Sequence, residues 1–353
     1  MQTQKQYDIA VVGAGPAGAT FARLVGRDRR ILLLDGAAGG KPCGGLLSPD
    51  AQRALARFDL TLPKEILVDP QIFAVRTVDL KTGAERYYQR LYINLNREKF
   101  DRWLLSLLPD NVELVKGRCV GIEKTADGFE IAYVDENGVR RLASAQTLVG
   151  ADGASSIVRR RFFGDRKVRT YTAIQQWFPS EEGNPFYSCI FDPETSNCCS
   201  WSIHKDNYLI FGGAFALQDS RACFERQKAK LAAFGFRLGE PVKTEACLVY
   251  RPNRFRSLCC GSDGVYLIGE AAGFISPSSL EGISYAINSA VSLADSFSAK
   301  PSRRSAVYRR KTICLRLKLM LKTLKCPFMY TPFLRRIVMW SGLSSMRLHD
   351  GPR

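Results

Sequence analysis

Gly13-Ala14-Gly15-Pro16-Ala17-Gly18 stands between a short apolar run and a helix-compatible stretch, and it restricts the fold more than any other feature of the chain. The run Tyr7-Asp8-Ile9-Ala10-Val11-Val12 reads as a strand buried on both faces. Pro16 suits the first turn of a helix reaching Val25. Ile31-Leu32-Leu33-Leu34-Asp35 is a second buried strand, closed by an acid 22 residues after Gly13. The glycines have separate mechanical duties. Gly13 permits the tight turn, Gly15 lets a pyrophosphate approach the backbone, and Gly18 lets the helix pack close to the sheet. The phosphates would lie at a helix N-terminus, where unpaired N–H groups favour negative charge, and Asp35 would accept from a ribose diol. A dinucleotide site is therefore expected, although this motif alone does not separate FAD from NAD.

At 353 residues the chain exceeds what one core usually organises. Helical spacing returns at Pro49 to Phe58 and at Asn96 to Leu108, with Asn96 as a plausible N-cap. Residues 72–95 alternate and turn at Lys81-Thr82-Gly83, and residues 112–149 read as a meander with hairpin signals at Asp127-Gly128 and Asn137-Gly138. Residues 170–250 are rich in aromatic and β-branched runs, apart from a polar helix near Arg221 to Phe234. A third buried strand at Gly264 to Gly269 leads to a helix from about Glu281 to Ser298. Two α/β blocks thus bracket a β-rich middle. That order predicts interleaved domains: a nucleotide-binding domain of residues 1–70, 96–165 and 258–298, a β-rich substrate domain of 71–95 and 166–257, and a basic helical tail of 299–353.

Two further segments speak to the cofactor. Leu148-Val149-Gly150-Ala151-Asp152-Gly153-Ala154 ends a strand in an Asp-Gly turn. Val265-Tyr266-Leu267-Ile268-Gly269-Glu270-Ala271-Ala272-Gly273 ends another in an acid and small residues, with Glu281-Gly282-Ile283 at the next helix start. With the N-terminal motif they resemble the three signatures of the glutathione-reductase-type FAD family, which includes aromatic hydroxylases, flavin halogenases and geranylgeranyl reductases. The resemblance runs from about Tyr7 to Ala299. It implies a mixed α/β fold, with a Rossmann FAD-binding domain interleaved with a β-rich substrate domain. It further implies that Gly13, Gly15, Ala17 and Gly18 hold the FAD pyrophosphate, and that Asp35 and Gly36 meet the adenosine ribose. Arg97 resembles the helix-opening arginine that reaches the phosphates, Val120 the residue whose backbone meets the adenine, and Asp152 an acid associated with both FAD and NAD(P)H. Gly269 and Glu270 take the ribityl position, Glu270 in place of the family's aspartate. Gly282 and Ile283 would lie beneath the flavin pyrimidine ring.

Lys41-Pro42-Cys43-Gly44-Gly45-Leu46-Leu47 is similar to the loop that geranylgeranyl reductases place beside the isoalloxazine. The resemblance implies that Lys41, Gly44 and Gly45 lie along the ring and that Cys43 faces it. Cys43 would protonate a substrate carbon or make a charge-transfer contact, or else is merely a small residue tolerated in a glycine loop. Trp201-Ser202-Ile203 through Gly212-Gly213 loosely resembles the reductase segment that carries a tryptophan. Gln175, Trp177 and Trp201 are the candidate substrate residues, with core packing as their alternative. His204 falls at an expected hairpin tip, where an exposed turn histidine is the simpler reading, and His349 lies near the chain end. No hydrolase elbow, Walker lysine or His/Cys metal set is present, so no metal site is expected.

Charge is unevenly placed. The chain carries 51 Lys/Arg against 34 Asp/Glu, yet residues 296–349 hold thirteen Lys/Arg and no acid. Ala306, Ile313, Leu317, Met320 and Leu324 fall on one helical face and Lys311, Lys318, Lys322 and Lys325 on the other, with Pro327 as the expected stop. Either this helix docks on its own domain or it attaches to an anionic membrane surface. No nucleic-acid reader motif accompanies the charge. The eleven cysteines lack metal-type spacing and read as reduced thiols. With no signal peptide and no membrane-spanning run, a cytoplasmic protein, peripheral at the inner face of the membrane, is expected. The whole reading is an FAD-dependent oxidoreductase that reduces an apolar, isoprenoid-type substrate, with NAD(P)H as the candidate electron donor. An FAD- and NAD(P)H-dependent monooxygenase, and a membrane-associated flavin-binding regulatory protein, remain as alternatives.

Overall fold

The computed structural model describes residues 5–36, 40–164, 168–181 and 184–346. His349 therefore lies outside the described residues. The chain begins with β1 (Lys5–Val12), α1 (Pro16–Val25) and β2 (Ile31–Asp35), then β3 (Leu46–Leu47) and α2 (Pro49–Ala56). There follow β4 (Ile72–Asp79), β5 (Glu85–Asn94), α3 (Arg97–Ser106), β6 (Val112–Thr125), β7 (Gly128–Asp135), β8 (Arg140–Gly150) and α4 (Ile157–Phe163). The middle comprises β9 (Arg169–Pro179), β10 (Phe186–Phe191), β11 (Ser200–Lys205), β12 (Tyr208–Ala216), α5 (Ser220–Lys230) and β13 (Lys243–Arg251). The last part holds β14 (Gly261–Ser262), β15 (Val265–Leu267), α6 (Ile283–Ala294), α7 (Pro301–Lys311), α8 (Ile313–Tyr330) and α9 (Pro332–Ser341).

Two compact units share these elements: Met1–Lys41, Glu98–Arg169 and Tyr250–Leu321 form one, and Pro42–Arg97, Thr170–Val249 and Lys322–Arg353 the other. The division differs from the sequence expectation in three places. Residues 42–70 belong to the second unit, because Leu46 and Leu47 pair antiparallel with Asn94 and Ile93 of β5. Residues 250–257 belong to the first, where the Tyr250 N–H donates to Glu270. The basic tail is no separate body. Tyr308 of α7 is buried in the first unit and donates to the Leu267 carbonyl at 2.8 Å. Arg335 of α9 is buried in the second.

In the first unit β2, β1, β8 and β15 are joined by parallel pairing, and β6 adds in parallel beyond β2. The far ends of β6 and β8 pair antiparallel with β7, so the meander grows out of the same sheet. Ile9, Val11, Leu33, Leu148 and Val149 are fully buried, as strands covered on both faces require. Phe21 of α1 and Tyr285 and Leu293 of α6 belong to the same core. In the second unit an eight-stranded sheet runs β13-β9-β12-β11-β10-β4-β5-β3. Phe178, Phe211 and Phe215 of that sheet pack with Phe224 of α5, and the Phe211 and Phe224 rings stack at 5.2 Å.

The C-terminal helices depart from the expected amphipathic pattern. Helix α7 ends at Lys311, and Thr312 turns its hydroxyl back to the Tyr308 carbonyl at 2.9 Å, which separates Ala306 and Lys311 from α8. Pro327 does not stop α8, which runs on to Tyr330, with the Thr331 N–H donating to the Pro327 carbonyl at 2.9 Å. A proline interrupts only the bond its own nitrogen would make and the turn before it, so one more turn can follow. Pro332, at the first turn of α9, sets the break. The expected apolar face is also not the docked one: Ile313, Leu317 and Leu324 are exposed, while Tyr308 and Leu319 are buried.

Candidate functional site

In the first unit three turns converge around the N-terminus of α1. Gly13 has φ of 105°, and a Cβ there would lie 2.5 Å from the Ala151 carbonyl oxygen. A Cβ on Gly18 would come 1.9 Å from the Gly13 oxygen and 3.4 Å from the Ala151 Cβ. Both glycines are therefore demanded by the protein's own packing. Gly15 differs: its φ is −70°, and a Cβ there would meet nothing within 4 Å. Gly15 is the N-cap of α1, and among the described residues no side chain caps that terminus and no acid stands in its first turn. First-turn N–H groups have no partner within a helix, so this open floor has the chemistry to accept an anion. Ala17 and Gly269 meet across the helix, since a Cβ on Gly269 would lie 2.9 Å from that of Ala17.

Asp152 borders this floor. Its Oδ2 accepts from the Ile157 N–H at 2.7 Å, while its Oδ1 is buried without a hydrogen-bond partner. Burial raises its carboxyl above the ordinary aspartate range, with the Ser156 hydroxyl and backbone N–H groups working the other way. A buried acceptor without a donor is costly unless something fills the place. Gly153 follows at φ 70°, and a Cβ there would lie 3.9 Å from Glu270 Oε2. Glu270 does not wait for a ribityl chain: its Oε1 accepts from the Tyr250 N–H at 2.9 Å, and its Oε2 pairs with Lys41. The extra methylene lets this acid fold onto its own protein.

The remaining expected residues have distinct surroundings. Asp35 closes β2, and Gly36 backs onto β6, where a Cβ would come 3.2 Å from the Arg118 Cα. Pairing of β6 with β7 steps from Cys119–Tyr133 to Gly121–Ala132, so Val120 is the extra residue of a β-bulge. Arg97 is the first residue of α3. Gly282 is the N-cap of α6, but the Ser284 N–H is already held by Glu281 at 2.8 Å. Ile283 is buried, and fewer N–H groups remain there than the sequence alone suggests.

In the second unit the Pro42–Gly45 loop rests on β11. The Cys43 Sγ accepts from the Gly45 N–H at 3.4 Å. A Cβ on Gly44 would lie 2.8 Å from Ile203 Cδ1 and 3.7 Å from Trp201 Nε1, and Gly45 has φ of 62°. Beneath it lies Lys205, which the sequence reading passed over. Its Nζ donates to Asn94 Oδ1 at 2.6 Å, the Leu95 carbonyl at 2.7 Å and the Gly45 carbonyl at 3.3 Å. Burial pulls this ammonium down to about 7, against Cys43 and Asp206. His204 is likewise no exposed turn residue: it is buried on β11, and the hairpin tip falls at Asp206 and Asn207. A lysine ending a strand reads as solvated, and only its bonds to Asn94 and Leu95, distant in the chain, show otherwise.

Gln175 and Trp177 share one carboxylate, each donating to Glu245 Oε2 at 2.8 Å. Burial pushes the Glu245 carboxyl up, but donation from Lys243, Gln175 and Trp177 holds it below its usual range. Gln175 Oε1 and Trp201 Nε1 are buried without hydrogen-bond partners. A Cβ on Gly212 would lie 2.7 Å from the Trp201 ring and 2.8 Å from the Gln175 Cβ, so the two side chains flank that glycine. Among the described residues no group of His, Cys, Asp or Glu is placed to hold a metal ion, and no disulfide joins any of the eleven cysteines.

No family model matches the chain. In structure it is similar to a geranylgeranyl bacteriochlorophyll reductase-like protein of Thermoplasma acidophilum, with a TM-score of 0.79 at 16% identity over 98% of this chain and 94% of that one. It is also similar to PqsL, a probable FAD-dependent monooxygenase of Pseudomonas aeruginosa, with a TM-score of 0.70 at 16% identity over 96% of this chain and 100% of that one. At such identities the likeness is one of fold. In sequence the chain is 46% identical to protein CbrA of Escherichia coli O9:H4, across 99% of this chain and 97% of that one. CbrA of Shigella flexneri serotype 5b matches at the same identity and coverage. With nearly half of all positions shared from end to end, the chain belongs to the CbrA family.

Proposed function

We propose that the chain is an FAD-dependent oxidoreductase that reduces an apolar, isoprenoid-type substrate. One observation carries the cofactor: the uncapped N-terminus of α1 opens over Gly15, beside the unpartnered Oδ1 of Asp152. Gly13, Gly15 and Gly18 would hold the pyrophosphate, Asp35 the ribose, and Asp152 a sugar hydroxyl that gives its buried oxygen the missing donor. FAD, when bound, supplies a carrier of two electrons and a hydride. The chain's own residues do the rest. Saturating an isolated double bond needs a proton as well as a hydride, and Cys43 Sγ is the proposed source of the proton, reloaded from solvent. Trp201 Nε1 and Gln175 Oε1 would receive the polar end of an otherwise apolar substrate. Lys205 would keep the Cys43 loop in place.

The fold shared with PqsL supports a second reading, a monooxygenase using NAD(P)H and oxygen, and Asp152 suits that reading equally. The experiment is reconstitution of the purified protein with FAD, followed by anaerobic incubation with NAD(P)H or dithionite and a prenyl lipid. The expected product carries two more hydrogens per reduced bond by mass spectrometry. Oxygen uptake stimulated by an aromatic substrate would replace the reductase with the monooxygenase. A protein that takes up no FAD would overturn the reductase, the monooxygenase and the flavin-binding regulatory readings alike.

A further inference from the structure

One row of the second unit's sheet brings an open donor and an open acceptor together. Trp201 of β11 stands directly opposite Gly212 of β12, which stands opposite Gln175 of β9, so the three positions share one face. The other face is the one that Phe178, Phe211 and Phe215 pack against α5. A Cβ on Gly212 would lie 2.7 Å from the Trp201 Cε2 and 2.8 Å from the Gln175 Cβ. Glycine is therefore what lets the indole lie across β12 toward the amide. Gln175 is 2% exposed, and among the described residues neither its Oε1 nor the Trp201 Nε1 has a hydrogen-bond partner.

The amide has one orientation open to it. Gln175 Nε2 donates to Glu245 Oε2 at 2.8 Å, and Trp177 Nε1 donates to the same oxygen. Turning the amide over would set Oε1 against that carboxylate, so Oε1 stays the open acceptor, while an indole N–H can only donate. Burial of either without a mate is unfavourable. A single group with one hydrogen to give and a lone pair to offer completes both, and a hydroxyl is such a group. A phosphate or carboxylate has no hydrogen for Gln175 and would face the Glu245 carboxylate behind the amide. An ammonium has no lone pair for Trp201. Lys243 of β13 already pairs with Glu245 at 2.7 Å, and Lys205 of β11 is engaged by Asn94, Leu95 and Gly45. Along the same face Ile203 and Ile210, paired with each other and buried, make the surroundings apolar.

We propose that this row binds the hydroxyl group of an alcohol, which donates to Gln175 Oε1 and accepts from Trp201 Nε1. The hydroxyl site rests on the reading of an apolar, isoprenoid-type substrate, and it narrows that substrate to one with an uncharged alcohol end rather than a phosphate.

The test is calorimetric titration of the full chain, with FAD in excess, by farnesol, its methyl ether and farnesyl diphosphate. Farnesol should bind about tenfold more tightly than the ether, which cannot donate to Gln175 Oε1, and should also outbind the diphosphate. Trp201→Phe removes the N–H and should weaken farnesol about tenfold. Gln175→Met keeps the length of the side chain, removes the acceptor, and should abolish the preference for alcohol over ether. The comparison of the three probes on the wild type requires neither variant to fold. Equal affinity for farnesol and its ether would leave the bridge to a water molecule and overturn the hydroxyl site. Tighter binding of the diphosphate would overturn it too, with the isoprenoid reading left standing. Binding of none of the three would overturn that reading and the hydroxyl site together. Selective binding of farnesol without saturation of its double bonds would remove the reductase and keep the site.

Discussion

Lys205 Nζ and Asn94 Oδ1 meet at 2.6 Å in the interior of the second unit, and the same ammonium reaches the carbonyls of Leu95 and Gly45. Three N–H bonds match three acceptors, so the protonated form satisfies the site in full. The neutral amine has only two N–H groups and would surrender one contact, the Gly45 carbonyl at 3.3 Å being the longest. The cost of burying the charge is what draws the group down to about 7.

That balance predicts a pH dependence of stability. An unfolded lysine titrates near 10.5, so between about 7 and 10 the unfolded chain binds the extra proton and unfolding takes one up. Stability should therefore rise with pH across this window, with a slope approaching about 1.4 kcal/mol per unit from this group. Urea unfolding of the wild type and Lys205→Met at a series of pH values isolates the effect. A difference between the two that stays flat across the window would show that the lysine is not shifted.

The glycines of the N-terminal motif should separate by experiment. Gly18→Ala puts a Cβ into the Gly13 carbonyl oxygen and should cost about 2–3 kcal/mol or more. Gly15→Ala meets no protein atom, and stability should stay within about 1 kcal/mol of the wild type. If a pyrophosphate occupies the space above Gly15, that same variant should bind FAD about tenfold more weakly or worse. Equal FAD affinity in Gly15→Ala, read by flavin fluorescence, would remove the phosphates from this turn.

Asp152 offers a change of one atom. Asp152→Asn keeps an oxygen for the Ile157 N–H and places an NH2 group where Oδ1 now has no donor. Stability should hold, while FAD affinity should fall about tenfold through the loss of an acceptor. Asp152→Ala removes both functions and should cost about 1 kcal/mol of stability as well, as lost helix caps do. Thermal melts without cofactor, set beside FAD titrations, separate the two effects.

The sequence disclosed the first turn most fully because each of its constraints is local: a strand, three glycines and an acid lie within thirty residues. Interleaving of the units was also legible, since the two α/β blocks flank a long β-rich run. Lys205 and Asn94 were not, because their burial depends on a parallel pairing of β10 with β4 and on β3 joining β5, contacts between residues far apart in the chain. Helical periodicity found the apolar stripe of the tail but left its direction open. Periodicity alone does not say which face packs, and here Tyr308, Leu319 and the buried Arg335 hold the helices by other faces.

Arg335 and Asp79 supply the last prediction, because their pair fixes the tail to the second unit. Both are buried, and a charge stripped of its partner in such a place is far costlier than a pair removed together. Asp79→Ala leaves the guanidinium with the Met329 carbonyl and the Phe191 ring alone, and should cost about 3–5 kcal/mol. Asp79→Leu combined with Arg335→Met replaces both charges with apolar bulk and should recover most of that loss. Guanidinium unfolding of the singles and the double closes the cycle. Strictly additive losses would mean that the two side chains act independently, and the tail would then be held by its backbone contacts to Arg86 and Tyr87.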